Sequence, residues 1–92
     1  MHNRFFVEVI RKELNAAETV KCLELIKILQ KKTNLINVSN HVFTCNLNDN
    51  LAVLFTVHFA NQLTNYPQYF SSIRCFDRVS GSEKYFIKET KE

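Results

Sequence analysis

The sequence predicts a single α+β domain of the order β-α-β(β)-α-β with a C-terminal hairpin strand. Three observations carry this expectation. A run of β-branched and aromatic residues opens the chain, two helical patterns with N-cap signals follow, and turn residues separate further apolar runs. Ninety-two residues leave room for one hydrophobic core, so residues 1–92 are read as one domain. At this size a chain buries only about 60–65 % of the surface exposed when unfolded. Eight Phe and three Tyr answer that demand, since each ring buries roughly 150–250 Å².

Arg4 to Arg11 reads as the first strand, with Glu8 its only polar interruption. A strand apolar on both faces belongs in the middle of its sheet, covered by helices on one side and by a partner on the other. Asn15 followed three residues later by Glu18 has the form of a capping box, and the helix it opens runs to about Thr33. Its polar stripe is Glu18, Lys21, Glu24, Lys27 and Lys31. The remaining face, with Ala17, Val20, Cys22, Leu25, Ile26 and Leu29, is broad and apolar.

From Leu35 to Leu47 the pattern is extended, but its phase breaks at Ser39 and Asn40. Either one bulged strand or two short strands satisfies it. Asn48, Asp49 and Asn50 each offer a cap for a second helix reaching about Asn65, which Pro67 ends. Tyr69 to Arg78 is a further strand. Ser80, Gly81 and Ser82 make a turn, and Tyr85 to Lys88 return as a hairpin, leaving a charged, fraying C-terminus.

Composition excludes several functions. One Gly and one Pro leave no P-loop and no dinucleotide-binding glycine motif, so a nucleotide cofactor is not expected. Leu51 to Leu63 is too short to span a bilayer and carries His58, Asn61 and Gln62; a cytoplasmic chain without membrane contact is expected. Cys22, Cys45 and Cys75 have no bridge or metal spacing, so they read as reduced, buried apolar residues. The net charge of +3 permits a polyanionic partner without demanding one.

Few residues suggest chemistry. His2, His41 and His58 have no partner at metal-ligand spacing, and His41 and His58 read as structural. Glu8 is the most informative, because a carboxylate in an apolar strand must face an edge, a partner, a cation or a cleft. The plain reading pairs it with a basic side chain such as Arg74 on a neighbouring strand. Arg74 and Arg78 alternate with Phe76, which suits contact with a nucleic-acid backbone and a solvated sheet face equally well.

The stretch Val38 to Asn46 (VSNHVFTCN), then Leu54-Phe55 and Ile73 to Phe76 (IRCF), resembles the virulence-associated protein D family. More remotely it resembles the small CRISPR adaptation subunit and the antitoxin ribonuclease GhoS. The resemblance covers roughly residues 4 to 78. It implies a ferredoxin-like fold with two helices packed on one antiparallel sheet, a homodimer formed across the sheets, and metal-dependent endoribonuclease activity. It also implies that Glu8, or Glu13 on a longer strand, is the catalytic and metal-binding carboxylate. A pair of Glu8 side chains near the dimer axis would hold one Mg²⁺, with Arg74 and Arg78 binding RNA. Two departures stand against catalysis. Active members carry Asp where this chain has Glu8, and His41 replaces the serine of their strand triplet. The rival expectation is a non-enzymatic protein-binding inhibitor, such as an antitoxin, an immunity protein or a phage-encoded anti-defence protein.

Overall fold

The computed structural model describes residues 3–88. The elements run β1 (Phe5–Arg11), α1 (Ala16–Thr33), β2 (Leu35–Asn37), β3 (Val42–Cys45), α2 (Asp49–Leu63), β4 (Phe70–Asp77) and β5 (Glu83–Ile87). Two helices pack on a five-stranded antiparallel sheet of order β2-β3-β1-β4-β5, consistent with the ferredoxin-like expectation. The apolar opening strand is central, as its two-sided pattern requires. His2 and the expected fraying C-terminus lie outside the described residues.

The capping box at α1 is complete. The Asn15 side chain accepts from the Glu18 amide at 2.8 Å, and the Glu18 carboxylate accepts from the Asn15 amide at 3.3 Å. Asn34 closes the helix in the left-handed conformation at φ 57°, which asparagine tolerates better than most residues. At α2 the Asn48 side chain, of the three candidate caps, accepts from the Leu51 amide at 3.1 Å.

The ambiguous stretch after α1 resolves into two short strands. Val38 to His41 form the turn between β2 and β3, where the Val38 amide donates to the Val42 carbonyl at 2.9 Å. Gln30 of α1 secures that hairpin by donating to the Asn37 side chain at 2.9 Å. His41 is exposed in the turn, and its carbonyl accepts from the Val9 amide at 2.8 Å.

One face of the sheet meets the helices. Val7 and Val9, Phe43 and Cys45, Ile73 and Cys75 point there, against Cys22, Ile26 and Leu29 of α1 and Phe59, Ala60 and Leu63 of α2. The shortest extent of the molecule is 21 Å, the depth of one sheet and one helix layer, so among the described residues nothing covers the second sheet face. The apolar side of α1 is narrower than expected: Ala17 is exposed, and Val20 is 56 % exposed. Cys22, Ile26, Leu29 and Thr33 set the buried stripe, and two residues of helix rotate Val20 about 200° away from Cys22. His58 is likewise exposed on α2.

The cysteines are free and buried as expected. Burial raises the Cys22 thiol and pushes Cys75 up to about 12, so neither forms the reactive thiolate near neutral pH. Thiol titration of native protein should react slowly and that of denatured protein rapidly, at three equivalents. Fast labelling of the native fold would contradict the packing.

Candidate functional site

Alternation along β1 divides its side chains between the two faces: Val7 and Val9 enter the core, and Phe6, Glu8 and Ile10 face the uncovered side. The register places Phe6 opposite Thr44 and Phe76, Glu8 opposite Val42 and Arg74, and Ile10 opposite Ser72. On the outer strands Ile36 joins the same face opposite Thr44, and Tyr85 joins it opposite Arg74. A register shift between Ile73 and Arg74 lets the β4–β5 pairing bend there.

Two aromatic rings occupy the middle of this face. Phe6 and Phe76 are stacked with centroids 5.4 Å apart. Arg74 lies over Phe76 at 4.5 Å and Arg78 over Phe6 at 5.3 Å, so each ring carries a guanidinium at cation–π distance. Phe6 is buried and Phe76 half-buried.

Glu8 and Arg74 are brought together, as the plain reading of the sequence has it. The Glu8 carboxylate accepts from Arg74 Nε at 3.3 Å and lies 3.3 Å from Nη2. The Arg74 Nη1 group donates to Glu83 on β5, so one guanidinium spans two carboxylates across three neighbouring strands. Arg78 sits beyond β4 and is exposed. Glu13 lies past the end of β1, apart from this cluster. Among the described residues no group of three or more His, Cys, Asp or Glu side chains is placed to hold a metal ion.

Sequence reasoning missed the second charge cluster, at the C-terminal end of β4. Asp77 receives two hydrogen bonds from Arg4 at 2.8 Å each, and accepts from the Val79 amide at 2.9 Å and from Ser80. Gly81, at φ 77°, supplies the turn that these bonds close. The Arg4 guanidinium, helped by the turn donors, holds the Asp77 carboxyl well below the usual carboxylate range. Ser80-Gly-Ser82 marks the turn in the sequence, but nothing local pairs Asp77 with a residue 73 positions away.

The Asp77 pairing predicts an acid dependence. A depressed folded-state pKa stabilises the fold fully above the ordinary value near about 3.9, and that contribution is lost as pH falls toward the folded-state value. Melting curves from about pH 6 to about pH 2 should therefore show a shallower acid decline for Asp77→Asn than for wild type. Parallel curves would remove Asp77 as a cause of acid unfolding.

Among the described residues no helix is long and apolar enough to cross a membrane. No protein-family model matches the chain, and no curated protein or solved structure does either.

Proposed function

We propose that the chain is a ferredoxin-like, non-enzymatic protein-binding module that associates with a second copy of itself through the uncovered sheet face. The observation that carries this reading is the Glu8–Arg74–Glu83 ladder, one guanidinium held between two carboxylates beside a stacked pair of phenylalanines.

A phosphate-binding surface needs cations free to release counterions. Here Arg74 is engaged by two carboxylates, which leaves Arg78 as the freer cation of the pair expected to bind RNA. Aromatic and arginine side chains with few uncompensated charges match the composition of protein interfaces. The two carboxylates and the exposed Arg78 on this face also let it meet its own image across a two-fold axis, Glu against Arg in both directions. In this reading Glu8 orders the face and performs no chemistry.

Light scattering at tens of micromolar should return about twice the monomer mass of 10.8 kDa. A mass near 10.8 kDa at that concentration would remove the self-association. Catalysis is tested separately, with wild type and Glu8→Gln incubated with single-stranded RNA, with and without Mg²⁺. The binding module leaves the RNA intact in all four samples. Mg²⁺-dependent cutting by wild type, lost in Glu8→Gln, would instead establish the endoribonuclease.

A further inference from the structure

Two of the cations without a carboxylate partner line the same recess. Asp77 holds Arg4, and Glu8 and Glu83 hold Arg74, but neither Arg11 nor Lys27 forms an ion pair among the described residues. Both line a recess of about 120 Å³ between α1 and the β2–β3 turn, on the helix side of the sheet. Val9, Ile26 and Phe43 give it an apolar floor, and no described Asp or Glu lines it.

The chain positions both cations. Arg11 follows Val9 by two residues on β1, so alternation turns it toward the helices. Burial raises the Cys22 thiol and the Arg11 charge opposes that rise, which puts the guanidinium beside α1. Lys27 shares a helix face with Gln30, one turn later. Gln30 donates to the Leu35 carbonyl at 3.3 Å and to the Asn37 side chain at 2.9 Å, and Asn37 donates to the Ser39 carbonyl at 3.3 Å. These bonds fix the turn against α1 and leave Asn40 as an exposed amide on the same recess. Two like charges border one hollow, and no carboxylate of the recess relieves their repulsion.

We propose that this recess binds a phosphate dianion, free or as the terminal group of a small monoester. The Arg11 guanidinium offers paired N–H donors to two phosphate oxygens, Lys27 brings a point charge to a third, and Asn40 adds a neutral donor. Charge selects the class: two cations without a carboxylate match a group that carries about −1.5 to −2 near neutral pH. Size limits it. A cavity of about 150 Å³ accepts one benzene, so this smaller recess admits the phosphate and leaves the rest of a monoester in solvent. None of its lining residues lies on the uncovered sheet face, so the proposal is independent of self-association.

The test is a titration of the full chain with inorganic phosphate, methyl phosphate and methyl sulfate, at constant ionic strength and about pH 7.5, above the second phosphate pKa of about 6. Backbone amide chemical shifts supply the readout. Saturable shifts at Arg11, Lys27 and Asn40 should give a Kd of about 1 mM or tighter for the phosphates. Methyl sulfate has the shape of methyl phosphate with one charge fewer, and should bind at least about threefold more weakly. Arg11→Gln and Lys27→Gln should each weaken methyl phosphate about threefold to tenfold. The dispersion of each variant's amide spectrum reports its folding, and each variant tests the site by itself if the other fails to fold. The source of the phosphate follows from the two arms. Methyl phosphate binding as tightly as the inorganic ion supports monoesters, and a loss of about tenfold or more supports the free ion. Absence of saturable shifts up to about 10 mM, equal affinity for methyl sulfate, or affinities indifferent to both substitutions would overturn the proposal. So would shifts centred on Lys12 and Lys88, which line a neighbouring recess with Arg11.

Discussion

Phe59→Ala should cost about 3–5 kcal/mol of folding stability, the largest loss expected from any single substitution considered for this chain. Phe59 is fully buried on α2, and its ring meets Phe43 of β3 with centroids 5.1 Å apart. Truncation removes the ring's transfer free energy and leaves a cavity that Val7, Cys45 and Leu63 cannot fill without moving the backbone. Domains of this size have about 5–15 kcal/mol in total, so the variant should melt about 15–30 °C lower. Chemical denaturation read by far-ultraviolet circular dichroism supplies the number. A loss under about 1 kcal/mol would mean that α2 does not pack on the sheet as described.

The second large effect concerns association. Phe76→Ala should weaken the proposed dimer by about 30-fold or more, because buried aromatic residues at an interface centre commonly contribute about 2–4 kcal/mol. Phe76 is the more exposed half of the ring stack and the platform for Arg74, so its loss also frees the Glu8–Arg74–Glu83 ladder to rearrange. Leu54→Ala serves as the contrast. Leu54 is 64 % exposed on α2, away from the sheet, and its truncation should leave association unchanged. Sedimentation equilibrium of the three proteins decides between them. Equal affinities would take the interface away from Phe76, and weakening by Leu54→Ala alone would move it to the helices.

Much of the architecture was written locally. Asn15 and Glu18 announce the start of α1 because a capping box is a contact between residues three apart. The central position of β1 follows from its apolar character on both faces. What lay beyond reach was set by distance along the chain. Whether Leu35 to Leu47 was one strand or two depended on Gln30 reaching across from α1 to Asn37. The exposure of Val20 depended on how much of α1 the sheet could cover, a width that no helical wheel records. Of the candidate site, the Glu8–Arg74 pair could be read from two strands of opposite charge pattern, while Glu83 as third member required the β4–β5 register.

The pairing of β1 with β4 bears on how the chain reaches this state. Glu8 and Arg74 are 66 residues apart in sequence, yet they are neighbours at the middle of the sheet. The β2–β3 hairpin and the two helices draw on contacts between residues close in sequence. The strand that completes the core joins only after a long loop has been closed, a step that slows folding in proportion to the entropy it removes. Until β4 arrives, one edge of β1 is a bare row of amides and carbonyls flanked by Phe6, Val7 and Val9. During that interval the chain is open to pairing with the β1 of another molecule. Its productive folding therefore competes with aggregation, and the competition should sharpen with concentration.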